Sequence, residues 1–97
     1  MNSISIDEFL KKLNTESLNI IDIRSHYEYL LGKIPTSINI DKILLLQTPQ
    51  AYLNKEKTYY IYCQSGHSSN NIVIKLNSLG YHTVNIVGGY NNYLLRK

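Results

Sequence analysis

The chain has 97 residues, 43% of them hydrophobic, which suits one domain over residues 1–97 with a single modest core. Ten basic and seven acidic side chains give a net charge of +3, but the basic residues are scattered, which argues against nucleic-acid binding. No stretch approaches the roughly 18 apolar residues of a membrane span and no basic leader begins the chain, so we expect a cytoplasmic protein without membrane contact.

In chain order, the first predicted element is a helix over about residues 6–13, begun by a capping-box pattern at residues 5–8. Residues 19–24 form a nearly continuous apolar run, typical of a strand buried on both faces of a parallel sheet. A second capping box at residues 25–28 begins a helix of about two turns, which Gly32 ends. We interpret Asp22 and Arg24 as a strand-end pair that orders the scaffold.

Shorter elements are predicted in the middle of the chain. Residues 37–40 alternate like a brief strand, and Asp41 is a candidate N-cap for a helical turn or two over residues 42–47. Thr48-Pro49 has the pattern of another short helix start, which would direct Tyr52 and Leu53 inward.

The best-defined prediction is a buried strand over residues 59–62, a polar loop from Cys63, and a helix capped by Ser68 and Ser69. The apolar stripe of this helix ends at Gly80; it comprises Ile72, Val73, Leu76 and Leu79. Residues 83–87 form the last predicted strand. After Gly88-Gly89 a closing helix is expected to bury Tyr90, Tyr93 and Leu94. This alternation predicts an α/β domain with a mainly parallel sheet and helices on both faces.

Cys63 is the only cysteine, so we expect a free thiol in a reducing compartment, without a disulfide. The three histidines lack metal-ligand spacing, so we expect no metal and no cofactor. Residues 1–56 carry six basic and seven acidic side chains, net −1, whereas residues 57–97 carry four basic and no acidic ones, net +4. A cysteine in the second part is expected to favour a thiolate and an anionic partner, although lysines kept for solubility explain the same count.

The position of Cys63 favours chemistry, because ligands of parallel sheets bind beyond the carboxyl ends of the strands. A short loop with Gly66, opening a helix, would direct N–H groups at an anion and so stabilise a thiolate or a persulfide. Ser65, Ser68 and Ser69 would add hydroxyl donors, while His67 would donate or lie at the rim. A buried structural cysteine explains the residue pattern equally well.

Three segments together resemble the rhodanese family of sulfurtransferases. The first runs from Ile21-Asp22-Ile23-Arg24 through Glu28 to Gly32-Lys33-Ile34-Pro35 and Asn39-Ile40, the second is Cys63-Gln64-Ser65-Gly66-His67-Ser68-Ser69, and the third joins Gly80-Tyr81, Val84, Gly88-Gly89 and Tyr93. The second segment is similar to the six-residue active-site loop of the family, with the nucleophilic cysteine first.

The resemblance implies a three-layer α/β/α fold around a five-stranded, mostly parallel sheet. It also implies that Cys63 takes sulfane sulfur from thiosulfate or a related donor, forms a persulfide and passes the sulfur to a thiol or cyanide. The persulfide would be held by the loop; its candidate binding residues are Gln64, Ser65, Gly66, His67, Ser68 and Ser69. A sulfur-relay protein is a further candidate partner.

Several positions depart from the family pattern. Gln64 and Ser68 stand where many relatives have arginine, so no guanidinium from the loop would grip a dianion. Lys33 replaces the usual histidine and Tyr93 the usual tryptophan. A persulfide carrier or interaction module is the main alternative function. A phosphatase or arsenate reductase is disfavoured, because Ser69 stands where a cysteine phosphatase needs arginine.

Overall fold

A computed structural model describes residues 2–97. Within that range five strands alternate with five α-helices and one short 3-10 helix. In chain order they are β1 (Ser3–Ile4), α1 (Ile6–Thr15), β2 (Asn19–Asp22), α2 (His26–Leu31), β3 (Ile38–Asn39), α3 (Lys42–Gln47), the 3-10 helix (Pro49–Ala51), β4 (Thr58–Tyr62), α4 (His67–Ser78), β5 (His82–Ile86) and α5 (Gly89–Arg96).

The five strands form one sheet in the order β1-β5-β4-β2-β3, and every neighbouring pair is parallel. Strand β4 lies at the centre, with Ile61 opposite Ile21 of β2 and Asn85 of β5. Because a central parallel strand is covered on both faces, it is apolar on both faces, and residues 59–62 of β4 are all buried. The predicted three-layer α/β/α architecture is confirmed.

The sheet divides the core into two clusters of buried side chains, where the sequence suggested a single core. The cluster on the face of α3 and α4 comprises Ile21, Ile23, Ile40, Leu45, Leu53, Tyr59, Ile61, Cys63, Ile72, Val73, Leu76 and Tyr81. The cluster on the face of α1 and α5 comprises Ile4, Ile6, Phe9, Ile20, Ile34, Tyr60, Tyr62, Ile86 and Tyr93. Alternate residues of β4 thus serve opposite faces, as strand geometry requires.

Strand β1 is an element that the sequence did not predict. Its two residues are too few for any alternation to be visible, and they directly precede the capping signal at Ser5. The pairing is nevertheless clear, because Val87 N–H donates to Ile4 O over 3.0 Å and β1 lies parallel to β5. The N-terminal residues thereby complete the edge of the sheet beside the last strand.

The predicted caps of the early helices are present. Ser25 and Glu28 form a reciprocal capping box, and Asp41 accepts hydrogen bonds from the N–H groups of Ile43 and Leu44. The apolar residues of α2 behave differently, since Tyr27, Leu30 and Leu31 are all about 70% exposed, at 71%, 67% and 72%. Helix α2 therefore has an apolar face that no other part of residues 2–97 covers.

The closing elements correct two sequence-based predictions. Ser68 and Ser69 do not cap α4, because the N-cap is Gly66, in the left-handed region at φ 94°, and both serines lie inside the helix. Leu79 and Leu94, expected on buried faces, are 53% and 43% exposed. Earlier in the chain, Tyr52, which was expected to point inward, is 39% exposed, whereas Leu53 is buried as predicted.

Candidate active site

Cys63 directly follows β4, so the central strand of the sheet places the thiol at the carboxyl edge, where parallel sheets bind ligands. The residue is only 7% exposed, yet it lines a cavity of about 400 Å³. The thiol is therefore shielded from bulk solvent and reachable from one side. A cavity of similar volume at the opposite edge, lined by Asn77 and His82 among others, contains no cysteine.

Three hydrogen-bonding groups converge on Cys63 Sγ. Gly66 N–H donates over 3.1 Å, Ser69 N–H over 3.4 Å, and Ser69 Oγ lies 3.3 Å away. Burial raises the pKa of the Cys63 thiol, but the Ser69 hydroxyl and the N–H groups of Ser69, Gly66 and Ser65 lower it more, so the pKa falls below its ordinary value. The thiolate is the form that these groups stabilise.

Gly66 allows the loop to curl around the sulfur. Its φ of 94° is in the left-handed region, which costs a glycine little, and this conformation turns its N–H toward Sγ. The space is also restricted, because a Cβ on Gly66 would lie 2.9 Å from Gly88 N. The predicted tight curl at Gly66 is therefore present and depends on both its backbone angle and its lack of a side chain.

Asn85 of β5 supports this arrangement, and the sequence did not single it out. Its buried side chain accepts a hydrogen bond from Ser69 Oγ over 2.5 Å and donates from Nδ2 to Gly66 O over 3.3 Å. One amide thus positions both residues that contact the sulfur. The sequence contained one indication of this role: Asn85 is a polar residue between the apolar residues Val84 and Ile86 of a buried strand.

The first turn of α5 holds the loop from the opposite side. Tyr90 N–H donates to Cys63 O over 2.9 Å, and Asn91 N–H donates to Gln64 O over 3.0 Å. This close approach requires Gly89, because a Cβ there would collide with Cys63 O. Gly88-Gly89 therefore brings the N-terminus of α5 against the loop. The carbonyl oxygens of Cys63 and Gln64 are held pointing toward α5.

Gln64 is immobilised between two neighbours. Its Oε1 accepts from Arg24 Nη1 over 3.2 Å, and its Nε2 donates to Asn91 Oδ1 over 2.6 Å. Arg24 in turn forms a buried ion pair with Asp22 over 2.8 Å, and its guanidinium lies over the Tyr90 ring at 4.1 Å. The strand-end pair predicted at Asp22 and Arg24 is thus present and reaches the loop through Gln64.

Among the described residues, the side chains of the remaining predicted loop residues form no hydrogen bond with Cys63 Sγ. Ser65, His67 and Ser68 are exposed, and His67 Nδ1 lies 3.2 Å from Ser65 Oγ. Ser65 and Ser68 line the cavity, whereas His67 is not among the lining residues. The rim position considered for His67 therefore agrees with the structure better than contact with Cys63.

Carboxylates lie closer to the thiol than the charge distribution along the sequence suggested. The cavity beside Cys63 is lined by Glu28 and Asp41 as well as by Arg24 and Lys42. Glu28 is in α2 and Asp41 caps α3, and both elements follow strands that end at the same edge as β4. The uneven distribution of charge along the sequence therefore did not predict the charges around Cys63, because a parallel sheet brings segments that are distant in sequence to one edge.

Among residues 2–97 no group of three or more histidine, cysteine or acidic side chains is arranged to hold a metal ion. None of the helices in that range is long and apolar enough to cross a membrane.

Comparisons with known proteins agree with this geometry. A Bacillus subtilis relative named "Putative sulfurtransferase YtwF" is 35% identical over 74 residues, which cover 76% of this chain and 71% of that protein. Another, named "Putative sulfur carrier protein YrkF", is 32% identical over 92 residues, covering 93% of this chain and 49% of that protein. A crystal structure of a Staphylococcus saprophyticus protein, 32% identical, has a TM-score of 0.88 and covers 96% of this chain and 93% of its own.

The rhodanese-like domain model matches residues 5–96, a range that includes the Cys63 loop, Asn85 and the α5 turn that holds the loop. The match thus spans nearly the whole chain and agrees with the five-stranded parallel sheet and its flanking helices. The chain therefore belongs to the rhodanese-like domain family.

Proposed function

We propose that the chain is a sulfurtransferase that carries sulfane sulfur as a persulfide on Cys63. The donor would be thiosulfate or a related sulfane compound, and the acceptor a thiol or cyanide. The observation that supports this proposal is the convergence of the Gly66 and Ser69 N–H groups on Cys63 Sγ, with the Ser69 hydroxyl 3.3 Å from the same atom. These donors favour a sulfur anion, which is needed both before and after sulfur is taken up.

In the first step the Cys63 thiolate attacks the outer sulfur of the donor. A bond forms between Sγ and that sulfur, the sulfur–sulfur bond of the donor breaks, and its electron pair leaves with sulfite when the donor is thiosulfate. The product is a Cys63 persulfide anion. Its outer sulfur extends the charge beyond Sγ into the cavity lined by Ser65 and Ser68.

In the second step an acceptor attacks the outer sulfur of the persulfide. The Cys63 thiolate is the leaving group, so a donor-stabilised Sγ also assists this step. A thiol acceptor leaves as a persulfide that retains the thiol proton, and cyanide leaves as thiocyanate. Two displacements on one cysteine need no second catalytic side chain to form the covalent intermediate.

The test is incubation with thiosulfate or another sulfane donor, followed by intact-mass analysis. We expect one added sulfur atom on the native chain, none on Cys63→Ser, and loss of the added sulfur when cyanide or a thiol is supplied. The absence of an adduct with every sulfane donor tried would contradict the proposal.

A persulfide carrier loaded by a partner protein is a second candidate, favoured by the similarity to a protein named as a sulfur carrier. It uses Cys63 and the same loop. Loading by a desulfurase, with no loading by small sulfane donors, would support the carrier. Turnover of an aryl phosphate or arsenate without persulfide formation would instead support a phosphatase-like enzyme, which the lack of arginine in residues 63–69 disfavours.

A further inference from the structure

The charges around the Cys63 cavity do not suit a small dianion. The cationic lining residues are Arg24 and Lys42, and the anionic ones are Glu28 and Asp41. Arg24 is already neutralised by Asp22, with which it forms a buried ion pair. The charges left facing the cavity are one positive, on Lys42, and two negative.

Four of the five N–H groups of the Arg24 guanidinium are occupied by its neighbours. Nε and Nη2 donate to Asp22, Nη2 also donates to Gly32 O, and Nη1 donates to Gln64 Oε1. Its side chain is 4% exposed, and Tyr90 covers one face of the guanidinium. Among the described residues only one Nη1 N–H lacks a partner, so Arg24 could grip a dianion with two N–H groups only by breaking contacts that hold the loop in place.

The two carboxylates are fixed in position but retain free acceptor capacity. Glu28 Oε1 accepts from Ser25 N and Ser25 Oγ in the capping box, and Asp41 Oδ2 accepts from Ile43 N and Leu44 N as an N-cap. Each of these bonds uses only one oxygen of its carboxylate. Capping therefore orients both side chains at the cavity while leaving an oxygen on each for a cationic ligand.

We propose that the sulfur donor of this chain is the persulfide of a small ammonium-bearing thiol, whose ammonium group is bound by Glu28 and Asp41. This inference rests on the proposed function, because it needs Cys63 to accept sulfur. The Cys63 thiolate attacks the outer sulfur of R–S–SH, that sulfur and its proton become the Cys63 persulfide, and R–S⁻ leaves with the electron pair. No oxidant or reductant is required.

The test compares three donors that differ in one charged group: the persulfides of cysteamine, 2-mercaptoethanol and 3-mercaptopropionate, each generated from its disulfide and sulfide. The rate of Cys63 persulfide formation is followed by intact mass. An ammonium group also improves the leaving thiolate, so donors cannot be ranked on one protein alone. The deciding quantity is the rate on the native chain divided by the rate on a variant, taken for each donor.

The variant is the double substitution Glu28→Gln and Asp41→Asn, which removes both charges while glutamine and asparagine preserve the two caps. We expect it to slow the cysteamine donor roughly three- to tenfold relative to the mercaptoethanol donor, since an exposed ion pair changes an equilibrium by up to about fivefold. The mercaptopropionate donor and thiosulfate should become faster. High salt should reduce these differences.

Glu56→Gln is the matched control, because Glu56 is exposed and lies outside the cavity. It should leave all ratios unchanged. Equal native-to-variant ratios for the three donors would overturn this inference while leaving persulfide formation on Cys63 intact. Absence of an adduct with any donor, thiosulfate included, would instead overturn the proposed function.

Discussion

Ser69 contributes two of the groups around Cys63 Sγ, its N–H and its hydroxyl, and the hydroxyl is the part that mutation can remove. The Ser69 hydroxyl has one proton, which either Asn85 Oδ1 or the Cys63 thiolate accepts; because its hydrogen bond to the thiolate lowers the Cys63 pKa, Ser69→Ala should raise that pKa and slow alkylation by iodoacetamide at neutral pH. The whole pH–rate curve should move to higher pH. Ser78→Ala, at the far end of α4, serves as the control, and an unchanged curve for Ser69→Ala would contradict the assignment.

Asn85 provides a prediction about stability. In Asn85→Ala the Ser69 hydroxyl and Gly66 O lose buried partners, so the free energy of unfolding should fall by about 1–3 kcal/mol. Urea titration measures the change. Asn70→Ala, at an exposed position of α4, should cost less than about 0.5 kcal/mol beyond its helix-propensity effect. Equal losses for the two variants would show that Asn85 has no special role.

At the residue scale the sequence was informative where a side chain hydrogen-bonds to backbone close to it in sequence. Asp41 and the Ser25–Glu28 capping box could be predicted from spacing alone, because each side chain bonds to backbone two or three residues away. Asn85 could not, because its partners are 16 and 19 residues away in sequence. The caps assigned to Ser68 and Ser69 were wrong because the local pattern also fits Gly66, whose left-handed conformation begins the helix earlier.

Among the elements, α5 has a second role beyond covering the sheet. Its first turn donates to Cys63 O and Gln64 O, and Gly89 permits the contact. Gly89→Ala should therefore lower the free energy of unfolding in two ways, through backbone strain at a positive φ and through the collision of the new Cβ with the loop. The collision should add at least about 1 kcal/mol to the loss from strain. Slower alkylation of Cys63 should accompany this loss.

Gly80→Ala is the matched control for Gly89→Ala. Gly80 also has a positive φ, but a Cβ there would meet only the flexible end of Lys55, at 3.4 Å. The difference between the two unfolding free energies, measured in urea, isolates the close approach of α5 to the loop. If Gly80→Ala destabilises the chain as much as Gly89→Ala, the loop does not depend on that approach.

Element type and order could be predicted from the sequence because apolar runs, caps and glycines alternate clearly along it. Strand β1 could not, since two residues show no period and their only partner is β5, more than 80 residues later. The exposed face of α2 could not be predicted for a related reason. Periodicity identifies an apolar face, but whether another element covers that face depends on the tertiary arrangement.

For the molecule as a whole, the lowered pKa of Cys63 couples folding to pH. The native chain releases the thiol proton at a lower pH than the unfolded chain, so between those two pKa values the unfolded state binds more protons. The free energy of unfolding should rise as the pH increases through the native pKa toward the ordinary value of 9.0. As the pH falls through the native pKa, this stabilisation is lost.

Cys63→Ser separates this effect from other titrations. The difference in unfolding free energy between the native chain and Cys63→Ser, measured in urea at several pH values up to 9, should increase with pH in favour of the native chain. A difference that stays constant over this range would mean that the fold does not favour the thiolate.

The dependence of the loop on α5 also has a consequence for biosynthesis. Cys63 leaves the ribosome before Tyr90 and Asn91, whose N–H groups hold its loop, and before Asn85, which orients Ser69. At about 5–20 residues per second, that interval lasts roughly one to six seconds. During it the nascent chain carries a cysteine without its assembled hydrogen-bond donors. The hydrogen-bond donors around Sγ are thus assembled late, after β5 and α5 have been synthesised.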